Sequence, residues 1–135
     1  MADIMNFDLV SPERSLASFV ATEVQIPGSE GDMTVMLNHA PILTTLRPGV
    51  LSVSGADGVR EYVITGGFAE VTAEGVTVIA ECAMVKSEVT QADMDGIVSL
   101  AQLALDSSNE ANQDASIKMH ADVVNLAAIL GLSSH

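Results

Sequence analysis

Apolar residues recur at every second position through much of the first two thirds of the chain, and at every third or fourth position after that. The first spacing belongs to strands with one face toward a core, the second to helices with an apolar stripe. Residues 7–10 form a short apolar run closed by Ser11-Pro12. Residues 16–26 are rich in β-branched side chains and alternate over Val20, Thr22, Val24 and Ile26, and Pro27-Gly28 is expected to end that strand. Residues 51–54 alternate again, Gly55-Ala56-Asp57-Gly58 supplies turn chemistry, and residues 59–65 run back out, which predicts a hairpin. Gly66-Gly67 breaks the run, and a second tight turn at Ala73-Glu74-Gly75 separates residues 68–72 from 76–80. Many short strands with turns this close predict a sandwich or flattened barrel.

Near Ser87 the character changes: no proline follows, β-branched residues thin out, and Ala, Leu, Asp and Gln accumulate. Thr90 with Asp93 three positions on is a capping signal for a helix start. Met94, Ile97, Val98, Ala101, Ala104 and Leu105 then share one helical face. Asp106-Ser107-Ser108-Asn109 is the predicted break, Met119, Val123, Leu126, Ala127 and Leu130 mark a second helix, and Gly131 is its predicted C-cap. Two helices joined by a short polar loop predict an antiparallel hairpin. The reading is an α+β chain: an all-β sandwich or flattened barrel over residues 1–86, then a helical hairpin over 87–135.

Composition narrows what such a chain can do. Aromatics are only 3 % and Trp is absent, so the core must be aliphatic and any interface must rely on area and charge rather than aromatic anchors. Eighteen acids against five bases give a net charge of −13. That excludes the basic face that nucleic acid requires, argues against anionic lipid surfaces and insertion into lipid, and favours basic partners. Cys82 is a lone cysteine, so neither an internal disulfide nor a cysteine-based metal site is expected. The first residues lack the basic start and apolar run of a signal peptide, and a cytoplasmic location is the plain expectation.

Chemistry-bearing residues do not assemble into a catalytic motif. His39, His120 and His135 are scattered over both regions and lack metal-ligand spacing. Glu70, Glu74 and Glu81 fall at strand ends and turns, where solvated charge is the simpler role. Gly28-Ser29-Glu30-Gly31-Asp32 looks like a phosphate loop, but it has no Lys-Ser/Thr and carries two acids. No Gly-x-Ser-x-Gly elbow is present. Read from its residues alone, the chain is a binding or structural module without a cofactor. A free-standing β-sandwich that binds a ligand in an internal pocket is one such module.

Four segments carry a resemblance. Ile26-Pro27-Gly28-Ser29-Glu30-Gly31-Asp32 leads to Asn38-His39-Ala40-Pro41-Ile42-Leu43-Thr44-Thr45-Leu46-Arg47-Pro48-Gly49-Val50-Leu51. Phe7-Asp8-Leu9-Val10-Ser11-Pro12-Glu13-Arg14 precedes them, and Tyr62-Val63-Ile64-Thr65-Gly66-Gly67-Phe68-Ala69-Glu70-Val71 and Val76-Thr77-Val78-Ile79-Ala80-Glu81 follow. In this order and spacing they resemble the epsilon subunit family of F-type ATP synthases (delta in mitochondria). The resemblance implies a non-catalytic rotor subunit of the central stalk, peripheral on the cytoplasmic face of the bacterial inner membrane. Its implied partners are the gamma subunit, the membrane c-ring and the catalytic alpha/beta hexamer. Ring contact is then expected at Glu30, Asp32, Asn38 and His39, where acids would complement basic ring loops. Gamma contact is expected at Leu43, Thr44 and Thr45.

Two departures from the family qualify this. Leu37-Asn38 stands where the family has Pro-Gly, and Asn tolerates the positive φ such a turn needs. Some members bind ATP through an apolar-Asp-x-x-Arg-Ala motif at the start of the first helix; here the Arg position holds Asp93. Residues 87–135 carry seven acids and one base, Lys118, so neither ATP sensing nor the family's inhibition by a basic last helix is expected of this hairpin.

Overall fold

The computed structural model describes residues 4–36 and 40–134. It divides into two compact units, Met1–Ser87 and Glu88–His135. The first holds ten strands: β1 Met5–Val10, β2 Ser15–Ala21, β3 Glu23–Gly28, β4 Gly31–Val35, β5 Ile42–Leu46, β6 Gly49–Gly55, β7 Gly58–Ile64, β8 Gly67–Val71, β9 Gly75–Ala80 and β10 Ala83–Val85. The second holds α1, Gln91–Asp106, and α2, Gln113–Leu130. No helix among the described residues is long and apolar enough to cross a membrane.

The strands form one ladder in the order β10-β7-β6-β3-β5-β8-β9-β1-β2, with β4 on the far side of β3. The ladder folds over at the single β3–β5 bridge, Gly28 opposite Leu46, giving two five-stranded layers. All pairs are antiparallel except β1 with β9. The run 16–26, expected as one strand, is two. It bends at Thr22, whose amide bonds Ser54 O at 2.8 Å, and so passes from the β1 layer to the β6 layer. β7–β8 and β9–β10 cross between layers side by side at residues 65–66 and 81–82, tied by Thr65 N to Cys82 O at 3.1 Å and Glu81 N to Gly66 O at 2.9 Å. These shared corners nearly close the sandwich into a barrel. They force tight backbone approach: a Cβ on Gly67, at φ 122°, would stand 2.0 Å from Ile79 O.

β3 ends at Pro27-Gly28, as expected, and Pro27 still pairs there, opposite Asp32. Its carbonyl accepts from Arg47 N at 3.0 Å, and its missing N–H leaves that rung with one bond where the β3–β5 ladder stops. Alternate residues of each layer point inward, and Phe7, Leu9, Val24, Leu51, Val53, Ile64 and Val78 are fully buried in one aliphatic core.

In the second unit the expected caps are present. Thr90 Oγ1 accepts from Asp93 N at 3.1 Å while the Asp93 carboxylate accepts from Thr90 N at 3.0 Å. Gly131 is left-handed at φ 71° and Leu132 N reaches back to Ala127 O. Met94, Ile97, Val98 and Ala101 of α1 are buried, as are Val123, Leu126 and Ala127 of α2. The Gln91 side chain makes two 2.9 Å bonds to the backbone of Ser133, tying the chain beyond α2 to the start of α1 and fixing the antiparallel hairpin.

Candidate functional site

The acidic turn is tethered to the neighbouring corner by backbone, hydroxyl and guanidinium contacts. β3 reverses into β4 over Ser29-Glu30, and the fold lays this reversal beside the corner between β5 and β6. Ser29 N donates to Thr45 O at 2.9 Å, and the Ser29 and Thr45 hydroxyls lie 2.7 Å apart. Arg47 Nη1 donates to Gly28 O at 2.6 Å, and Nη2 pairs with the Asp32 carboxylate. Gly28 must be glycine, because a Cβ there would sit 2.6 Å from Gly31 O. Glu30 is left exposed at the tip. Of the two acids expected to face a basic surface, Glu30 is presented to solvent while Asp32 is engaged by Arg47. This pairing links positions fifteen residues apart.

β4 pairs with β3 and, among the described residues, with no other strand. Asp32 lies near its start, and the chain enters the 37–39 segment just beyond its end. Five residues of strand put roughly 15 Å between the acidic turn and the far end of β4. Asn38 and His39, the other two expected ring contacts, lie outside the described residues.

Leu43, Thr44 and Thr45 do not share a face, because strand side chains alternate. Thr44 is half-buried beside Gly28, opposite the buried Ala69. Leu43, 71 % exposed, and Thr45 point outward. Their outward neighbours, missed from the sequence, form a row across four strands. Thr45 faces Phe68, Phe68 faces Ile79, and Ile79 faces Val10. Phe68 and Ile79 remain 45 % and 40 % exposed. The next row runs from Leu43 through Glu70 and Thr77 to Asp8, giving the apolar strip an acidic border. Alternation within residues 68–80 could have exposed this strip once the strand pairing was known.

The remaining chemical candidates are dispersed. Glu74 and Glu81 stand at opposite ends of β9, roughly 20 Å apart. Cys82 is exposed at a corner. His120 is half-buried in α2 and borders an open depression of about 450 Å³ with Leu103 and Asp106. A second surface groove of about 320 Å³ lies between Ile4, Phe19, Gly55 and Arg60. Neither penetrates the sandwich, whose interior is filled by the buried side chains named above. At the helix start, the Asp93 carboxylate is committed to the cap.

This architecture has counterparts among known proteins. The family described as ATP synthase, Delta/Epsilon chain, beta-sandwich domain, matches residues 4–86. The ATP synthase epsilon chain of Ruegeria sp. (strain TM1040) is 50 % identical over 98 % of this chain and 100 % of its own length. That of Rhodobacter capsulatus is 48 % identical over 98 % and 100 %. A chain in the cryo-EM structure of the Euglena gracilis mitochondrial ATP synthase superposes with a TM-score of 0.72 at 25 % identity, covering 95 % of this chain and 82 % of that one. A chain in the Tetrahymena thermophila central stalk and c-ring structure shares the fold, with a TM-score of 0.64 at 17 % identity over 93 % and 96 %. A ten-stranded sandwich followed by a helical hairpin, matched nearly end to end by such chains, is a member of the ATP synthase delta/epsilon family, a family of non-catalytic subunits.

Proposed function

We propose that this chain couples the membrane ring to gamma in the central stalk of a proton-translocating ATP synthase, on the cytoplasmic face of a bacterial inner membrane. The observation that carries the reading is the pair of surfaces on one rigid sandwich: a tethered acidic turn, and an outward apolar strip through Phe68 and Ile79. Glu30 faces basic loops of the ring, and Asn38 and His39 are the further ring contacts. Leu43, Thr45, Phe68 and Ile79 pack on gamma, and Glu70 and Asp8 meet basic residues at the border. A close-packed core between the two surfaces transmits torque without yielding. The subunit does no chemistry and needs no cofactor.

The hairpin neither binds ATP nor inhibits hydrolysis strongly. Asp93 would repel a triphosphate, and one base among seven acids suits no acidic partner on the alpha/beta hexamer. Affinity-tagged protein recovered from membranes should bring gamma, the catalytic hexamer and the ring; a partnerless monomer would overturn the assignment. Deleting residues 88–135 should change ATPase activity of the assembled complex by less than about twofold. A large rise would show that the hairpin does inhibit.

A further inference from the structure

Asp32 and Arg47 are fifteen residues apart, yet the fold makes them one device. The Arg47 side chain is 23 % exposed and spends both terminal nitrogens on the acidic turn, one on Gly28 O at 2.6 Å and one on the Asp32 carboxylate. Its own amide bonds Pro27 O at 3.0 Å. With the Ser29–Thr45 contacts, residues 27, 28, 29 and 32 of the turn are held by residues 45–47. Glu30 is then displayed at the tip of a loop whose flanks cannot swing. Asp32 is 77 % exposed, so the ion pair itself adds little stability. What a planar fork supplies in such a place is direction: two donors at a fixed angle bind two acceptors at once, which a lysine ammonium cannot reproduce.

We propose that Arg47 is the positioning residue of the ring-facing turn, holding Glu30 in register for the ring while neutralising Asp32. This rests on the reading that the turn faces the ring. Torque passing through a loop requires that the loop not yield, and the fork gives that stiffness where hydrogen bonds within the turn alone would not.

The experiment uses the whole complex, in a Cys82→Ser background with Glu30→Cys carrying a photoreactive maleimide. Crosslinking to the ring subunit is measured beside the melting temperature of the free chain and the protons pumped per ATP hydrolysed. With Arg47 present, a strong crosslink to the ring is expected. Arg47→Lys should lower that crosslink about fivefold and reduce pumping per ATP, with the melting temperature shifted by no more than about 3 °C. Asp32→Asn, which keeps the Gly28 bond, should fall between the two. An undiminished crosslink and pumping ratio in Arg47→Lys would overturn the positioning role. A loss in Asp32→Asn larger than in Arg47→Lys would overturn it too, making Asp32 the direct contact. Recovery of gamma with no ring crosslink even when Arg47 is present would instead overturn the underlying assignment of the turn to the ring.

Discussion

The sandwich and the hairpin bury the same kinds of side chain by different means. In the sandwich, Phe7, Leu9, Leu51, Val53 and Ile64 are at 0 % exposure, and strands crossing between layers leave little room for relaxation. In the hairpin, Met94 and Leu126 are as fully buried, but Leu100 and Leu103 of the first helix are more than 60 % exposed. Two helices offer each other one stripe apiece, whereas two sheets offer whole faces. The sandwich is therefore held by long-range packing, and the hairpin leans on its caps, its C-terminal left-handed glycine and the Gln91–Ser133 tie. A rigid body and a locally secured appendage suit different duties. A close-packed body suits bearing load, and a locally secured helix pair does not depend on long-range packing.

The difference can be broken most visibly in the core. Leu51→Ala removes a side chain that has 0 % exposure and no room to collapse into, and should cost about 3 kcal/mol. Calorimetry of the whole chain should show the main transition lowered by roughly 10 °C. Leu103→Ala, equally large a truncation on an exposed helical position, should leave the melting curve within about 2 °C. Equal shifts for the two would mean that the hairpin face is covered in solution.

The exposed apolar surfaces separate the units a second time. Phe68→Glu places a carboxylate in the strip between Thr45 and Ile79 and should weaken recovery of gamma about tenfold or more, with little change in melting temperature because the side chain points outward. Leu103→Glu should leave gamma recovery unaltered. If the hairpin variant loses gamma and the sandwich variant does not, the gamma-facing surface has been assigned to the wrong unit.

How much of this was legible in the sequence depended on the range of the interactions. The capping pair Thr90–Asp93 and the glycine at 131 are local, and both are where the residues pointed. Several strand positions were readable for the same reason, since alternation is local, but the bend that splits 16–26 into β2 and β3 was not. Pairing was not: nothing in residues 5–10 and 75–80 announces that β1 and β9 run parallel. The site suffered most from this. Leu43, Thr44 and Thr45 are expected together from the family resemblance, but a period of two turns Thr44 inward and brings Phe68, more than twenty residues away, beside Thr45, with Ile79 next in the row. Asp32 and Glu30 read as two equivalent acids until the fold set Arg47 next to one of them. Pro27-Gly28 reads as a strand end from local chemistry and is one, whereas the bond from Arg47 N to Pro27 O that ties this end to the next corner joins residues distant in the chain.

The smallest effect sharpens the comparison furthest. Thr90→Ala removes the hydroxyl that accepts from Asp93 N and leaves that donor to water, which should cost about 1 kcal/mol of local stability. The reciprocal bond from Thr90 N to the Asp93 carboxylate survives, so the helix start should fray rather than move. Hydrogen exchange resolves where the loss is felt. If the hairpin is secured locally, amides in the first two turns of α1 should exchange about fivefold faster while those of Leu51 and Ile64 keep their protection. Uniform acceleration across both units would mean that they open as one cooperative body, and that the caps contribute to the stability of the sandwich as well. In that case the hairpin would not be secured locally, and the contrast between the two units would fail at its base.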